Sequence, residues 1–191
     1  MASLTRFQAF IDGLAALVED RADENRIFAE GGSLLADLVA HDDWLPAEFA
    51  RSDATTYRQY LLHRDAAARF SIVSFVWGPG QETPIHDHTV WGMIGVLRGA
   101  ELSEKFIRTE GSLQSVGRDQ RLDQGDIDFV SPRRGDIHRV RNAFLDRVSI
   151  SIHAYGGDIG TIKRHAYDRF GDVKTFVSGY SNDRAPTLTR G

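Results

Sequence analysis

Three histidines and one alternating polar row carry the chemistry in this sequence. In P-I-H-D-H-T-V-W-G, His86 and His88 stand two apart. On a strand, residues i and i+2 point to one side, so the two imidazoles would share one space. Read alone, such a pair fits a solvent-facing strand as well as a ligand pair. A third histidine, His138, follows in S-P-R-R-G-D-I-H-R-V-R-N. Three neutral imidazoles would hold a metal on one side and leave its other side open; imidazole suits iron, zinc, nickel and copper alike. Further on, S-I-S-I-H-A-Y (149–155) puts Ser151, His153 and Tyr155 on one face and Ile150, Ile152 and Ala154 on the other. Facing inward, the polar row could relay protons or orient a ligand; facing outward, it would be a solvated edge. It lacks the strand–turn–helix elbow and the orienting acid of a hydrolase triad.

The elements that must position these residues change character near residue 65. Residues 3–40 read as helical: Phe7, Ile11, Leu14 and Val18 recur at the three-to-four spacing of an amphipathic face. Gly31-Gly32-Ser33 is a turn signal, with a second helical piece expected over 34–40. D-D-W-L-P-A-E-F-A (42–50) predicts a further short helix with Pro46 near its first turn. From about 69, short β-type runs alternate with Gly, Pro, Asp and Asn at intervals of about ten residues, the texture of a sandwich or barrel. The expected organisation is a single domain over 1–191, with 1–65 a mainly helical N-terminal part. The polar stretch 180–191 is expected to lie extended on the surface or loose.

Composition narrows the partners. The 191 residues are 41% hydrophobic and 26% charged with a net charge of -4, so no global basic field points to nucleic acid. Arginines at 133, 134, 139, 141 and 147 form a local cluster, which could steer anions but fits a solvated loop at least as well. No apolar run approaches membrane-span length and no targeting signal opens the chain, so the expected location is the cytoplasm. The absence of cysteine excludes disulfides, thiolate metal sites and a cysteine nucleophile.

Placed in order, the motifs resemble the cupin superfamily. Gly80, five residues, His86-Asp87-His88, three residues, Gly92, six residues and Gly99 reproduce the spacing of the first cupin signature, with glycine where that signature has glutamate. Gly125, six residues, Pro132, two residues, Gly135, two residues, His138, three residues and Asn142 follow the second, with two gaps one residue longer. The resemblance implies an all-β, jelly-roll-like barrel with the N-terminal helices packed outside it. Gly92 would then remove a negative charge and open space beside the metal, or serve as a strand glycine allowing close packing.

H-D-H-T-V-W-G followed by S-I-H-A-Y resembles, over roughly 55–180, the thiol dioxygenases, the cupin branch that includes cysteine dioxygenase. That likeness implies Fe(II) held by His86, His88 and His138, a Ser151-His153-Tyr155 relay, and a small thiol acid and dioxygen as substrates, giving a sulfinic acid. In the mammalian enzymes a cysteine is cross-linked to the tyrosine; here its place falls at about Gly92, so Tyr155 is expected to be a free phenol. Tyr57-Arg58-Gln59-Tyr60 resembles the bacterial 3-mercaptopropionate dioxygenase group, which has glutamine where mammalian-type enzymes bind the substrate carboxylate with arginine. An amide grips a carboxylate less firmly than a guanidinium. The expected substrate is therefore 3-mercaptopropionate, with Gln59 at this position and Arg164 as the cation that meets the carboxylate. L-cysteine as main substrate and a non-oxidative metal cupin are the alternatives.

Overall fold

The computed structural model describes residues 4–109 and 112–186. Helix α1 (Leu4–Glu19) buries Phe7, Phe10, Ile11, Leu14 and Leu17 on one stripe, with Ala15 and Val18 at its margin. Helix α2 (Glu24–Arg26) starts at Asp23, whose carboxylate accepts from the Arg26 N–H at 2.9 Å, an N-cap. It runs through a π-helical turn (Ile27–Gly31) into α3 (Gly32–Val39). Gly31 and Gly32 are therefore helical, not a turn. A Cβ at Gly31 would lie 3.1 Å from Met93 Cε, and one at Gly32 2.8 Å from Phe129 Cζ. The glycines let the helix press onto the sheet; close packing and turn formation leave the same mark in a sequence. After α3, Ala47–Ala50 forms a single 3-10 turn begun by Pro46.

Twelve strands follow, the first of them inside the stretch read as mainly helical. They are β1 (Arg58–Arg64), β2 (Ser71–Trp77), β3 (Ile85–His86), β4 (Gly92–Arg98), β5 (Ala100–Thr109), β6 (Ser112–Ser115), β7 (Gln120–Asp123), β8 (Ile127–Val130), β9 (His138–Asn142), β10 (Ser149–Tyr155), β11 (Arg164–Tyr167) and β12 (Val173–Phe176). One sheet runs β1-β2-β10-β4-β8; the other runs β12-β11-β3-β9-β5-β6, with β7 also paired to β5. The two sheets give the all-β, barrel-like arrangement expected from the sequence.

Strands β2 and β10 are buried along their whole length because each faces two interiors. Ile72, Val76, Ile150, Ile152 and Ala154 pack under the helices. Val73, Phe75, Trp77 and Tyr155 belong to a second cluster inside the barrel. Each fully buried large apolar side chain contributes about 1.5–3 kcal/mol, so the helices are part of what holds β10 in register. The C-terminal stretch is not loose where described. Ser181 and Asn182 exchange hydrogen bonds with Gln59 and Leu61 along the edge of β1. Residues 187–191 lie outside the described residues.

Candidate metal centre

Two of the three histidines sit on neighbouring strands, and the third follows just after the first of these strands. His86 on β3 stands directly opposite His138 on β9. The chain leaves β3 after His86, but alternation persists. Asp87 turns the other way, accepting from the His165 N–H and Tyr167 Oη and bonding His165 Nδ1 at 2.8 Å, while His88 returns to the side of His86. The three ring centroids lie 4.8–4.9 Å apart. One ligand atom from each ring lies within 4.8 Å of the others, and all three residues are buried.

Each ring is oriented through its far nitrogen. His86 Nδ1 faces the Pro84 carbonyl at 3.0 Å, His88 Nδ1 the Asp136 carboxylate at 2.9 Å, and His138 Nδ1 the Ser103 hydroxyl at 3.5 Å. Facing a carbonyl and a carboxylate, Nδ1 of His86 and of His88 is the donor, which turns each Nε2 lone pair toward a metal; the Ser103 hydroxyl can serve His138 Nδ1 as donor or acceptor. Burial, and then the neighbouring imidazoles, hold His86 and His138 well below the ordinary histidine range, so both are neutral and no proton competes for the ligand atoms. The donor set fits a divalent transition metal, and imidazole does not choose among them.

Asp136 also ties down the loop. Its second oxygen accepts from the His88 and Thr89 N–H groups at 3.0 and 2.8 Å, and Thr89 is held at φ 60°, a left-handed conformation a threonine adopts only where its surroundings impose it. Burial pushes the Asp136 carboxyl up, but bonds from His88 and Thr89 outweigh it and leave it below its ordinary value.

Behind the triad, the polar row of β10 is fully interior. Ser151 Oγ lies 2.8 Å from His153 Nε2, and His153 Nδ1 lies 2.8 Å from Tyr155 Oη. The Trp77 indole donates to Ser151 Oγ at 3.2 Å. Tyr155 stacks on His88 at 5.5 Å between centroids, which brings the row to the three histidines. Burial pushes the Tyr155 phenol up and the His153 imidazole well down, so both are uncharged.

Gly92 stands opposite Tyr155 in the sheet. A Cβ there would lie 2.9 Å from Val130 Cγ2 and 3.0 Å from two Tyr155 ring carbons. The glycine therefore does not leave open room beside the triad; the Tyr155 ring and Val130 have taken it.

Arg164 is 3% exposed. It donates to Ser178 Oγ at 2.6 Å and sits 4.8 Å over the Phe176 ring, and its Nε is buried without a partner. Its charge bears on both Tyr155 and His86. Gln59 does not stand free: its Nε2 donates to the same Ser178 Oγ at 3.2 Å and to the Gly179 carbonyl at 3.0 Å. The two residues meet on one hydroxyl. Most of the clustered arginines are paired: Arg134 with Asn25, Arg139 with Glu104, Arg141 with Asp119 and Arg147 with Asp146. Ser103, Trp77 and Ser178 carry no signal in the motifs; Asp136 left one detectable hint, an acid two residues before His138.

Three buried histidines placed so that they could hold one metal, within a β-barrel fold, point to a class of metal-dependent proteins. The family model for cysteine dioxygenase type I matches residues 18–169. The chain belongs to that family and is a thiol dioxygenase. The cysteine dioxygenase type 1 of Danio rerio is 23% identical over 158 residues, covering 74% of this chain and 77% of the relative. Among solved structures, an uncharacterized protein with a double-stranded β-helix domain from Klebsiella pneumoniae is similar at TM-score 0.48 and 18% identity, over 62% of this chain and 92% of that one. A cupin superfamily protein from Desulfitobacterium hafniense is similar at TM-score 0.46 and 13% identity, over 62% and 94%. No helix among the described residues is long and apolar enough to cross a membrane.

Proposed function

We propose that this protein is an Fe(II)-dependent dioxygenase of 3-mercaptopropionate, converting thiol and dioxygen into a sulfinate and a proton. The observation that carries the substrate assignment is Arg164, a buried guanidinium with no ion-pair partner among the described residues, whose charge reaches Tyr155 and His86. An arginine stays charged, and a buried unpaired cation is costly, so the site is built to receive an anion. His86, His88 and His138 would hold the iron, which when bound acidifies the thiol and brings dioxygen beside the sulfur.

The remaining work falls to the chain's own residues. Arg164 binds the carboxylate, and Gln59 holds Arg164 in place through Ser178. Tyr155, oriented by His153 and Ser151, offers its hydroxyl to the reacting atoms. The nearby carboxylates are turned away: Asp87 serves His165 and Tyr167, and Asp136 serves His88. A thiol acid without an amine leaves no ammonium in want of an acid, which supports 3-mercaptopropionate over cysteine. The name of the Danio rerio relative favours cysteine as the second reading.

Dioxygen uptake by the iron-loaded protein, with the two thiols offered separately and the product identified, tests this. Sulfinate formed with a higher kcat/KM from 3-mercaptopropionate is the expected result. A higher kcat/KM for L-cysteine overturns the substrate assignment, and no uptake with either thiol overturns the reaction.

A further inference from the structure

Glu101 lies on β5, two residues beyond the turn at Gly99 and on the same inward face as Ser103. It is 0% exposed, and neither carboxyl oxygen has a closed hydrogen bond among the described residues. A buried carboxyl without partners is costly and rare. Across the sheet on β9 stands Asn142, whose amide N–H groups are taken by the carbonyls of Trp77, Gly78 and Arg147. From β7 comes Leu122. The polar groups that bear on the carboxyl are the Ser151 hydroxyl from β10 and the Trp77 indole from β2, neither in a closed hydrogen bond with it. Among titratable groups, Tyr155 feels the charge of Glu101.

Counting protons along the row shows what the carboxyl is for. Ser151 Oγ has one proton and two lone pairs. Trp77 occupies one lone pair. His153 is neutral and carries one ring proton. If that proton is on Nε2, His153 donates to Ser151, and Ser151 must give its own proton elsewhere; Glu101 as carboxylate is the acceptor at hand. If it is on Nδ1, His153 donates to Tyr155, Ser151 donates to His153, and the second lone pair of Ser151 is open to Glu101 as a carboxylic acid. The charge on Glu101 thus sets the direction of every bond in the row.

We propose that Glu101 is the buried end of this chain and accepts, through Tyr155, His153 and Ser151, the proton that a thiol gives up in the three-histidine site. The proposal rests on the reading that Tyr155 faces the substrate. With Glu101 ionised, and the Ser151 hydroxyl turned onto it to close the bond that the structure leaves open, the bonds run inward: Tyr155 to His153 Nδ1, His153 Nε2 to Ser151, Ser151 to Glu101. The thiol proton passes to Tyr155 Oη as the phenol proton passes to Nδ1, the Nε2 proton to Ser151, and the hydroxyl proton to Glu101. The S–H bond and three others break, four form, and no atom changes oxidation state. The products are a thiolate and a neutral Glu101. All bonds now run outward, so the Tyr155 hydroxyl points at the substrate only after the thiol has ionised. The proton returns by the same route when the acidic product leaves. Glu101 touches neither substrate nor metal, and is a positioning residue. Burial raises its carboxyl to about 7, so both forms exist near neutral pH.

Nitrogen NMR of the full chain labelled in histidine reads the His153 tautomer without substrate or iron. In the wild type the ring proton should move from Nδ1 to Nε2 as pH rises through about 7, with no imidazolium signal. In Glu101→Gln the tautomer should be independent of pH. Glu101→Asp should restore the switch at a shifted midpoint. Ser151→Ala should abolish it while the carboxyl stretch of Glu101 in the infrared still titrates. In the iron-loaded enzyme, Glu101→Gln should lower kcat by at least about tenfold and flatten its pH profile, with KM and iron content unchanged. A wild-type tautomer that does not switch, or a switch retained in Glu101→Gln, overturns the proposal. A normal switch in a protein that consumes no dioxygen with any thiol instead overturns the reading of the reaction and leaves the proton chain standing.

Discussion

Asp136 is the most informative residue to change outside the histidines, because one carboxylate does two separable things. One oxygen holds the His88 ring at Nδ1; the other holds the His88 and Thr89 N–H groups. Asp136→Asn keeps the volume and one carbonyl oxygen. That oxygen stays with the two backbone donors, where it satisfies both, and the amide NH2 is left facing His88 Nδ1. A donor now meets a nitrogen that had been a donor, so the ring moves its proton to Nε2, the atom that faces the other two histidines. Metal binding must then reverse that tautomer and break the new bond. Partners of this kind are worth roughly 10- to 100-fold in metal affinity, or about 1.4–2.8 kcal/mol. Competition with a chelator of known affinity measures it directly, for iron and for zinc. Asp136→Ala, which also frees the strained Thr89 turn, should lose more, and should lose stability as well. An Asp136→Asn protein that holds metal as tightly as wild type would refute the idea that the far nitrogen fixes the ligand tautomer.

Arg164→Met removes a buried unpaired cation, so the protein should gain stability in urea unfolding while kcat/KM for a thiol acid falls roughly 10- to 150-fold, the worth of about 1.5–3 kcal/mol for a charged hydrogen bond; unchanged kcat/KM would remove Arg164 from the substrate site. Gly92→Ala forces Tyr155 and Val130 apart by a few tenths of an ångström at least, and overpacking of about 1–3 kcal/mol should lower Tm by several degrees with metal affinity retained; an unchanged Tm would mean the space is open after all. The folded chain keeps the Glu101 proton to about pH 7, whereas an ordinary glutamate releases it near 4.5. The folded state therefore binds more protons than the unfolded state across this window, and stability falls as pH rises through it. Glu101→Gln escapes this loss, so its stability relative to wild type should improve by up to about 3 kcal/mol between pH 5 and pH 8, read by urea unfolding at both values. A difference that does not change with pH would show that Glu101 titrates normally.

What could be read in the sequence follows from distance along the chain. The pair His86/His88 and the row Ser151/His153/Tyr155 are grouped by strand alternation, a rule local enough to see in a string of letters. His138 joins them only through the register of β3 on β9, which the spacing of the motifs encoded indirectly. The meeting of Gln59 and Arg164 on Ser178 spans more than a hundred residues and left no local trace. Glu101 looks like any strand-end acid until its burial is known. Gly31 and Gly32 misled because a glycine needed for contact and a glycine needed for a turn are the same letter. Gly92 offered both open space and close packing, and the choice needed the position of the Tyr155 ring.

Strand β10 carries the Ser-His-Tyr row on one face and the apolar contacts with the helices on the other. Its two roles are interleaved residue by residue, so one insertion or deletion within it would exchange the faces, putting isoleucines beside the histidines and a histidine under the helices. Length is therefore the one property of this strand that cannot drift. Loops such as 116–119 and 143–148 carry no such double duty, and they are where descendants of this sequence have room to gain or lose residues.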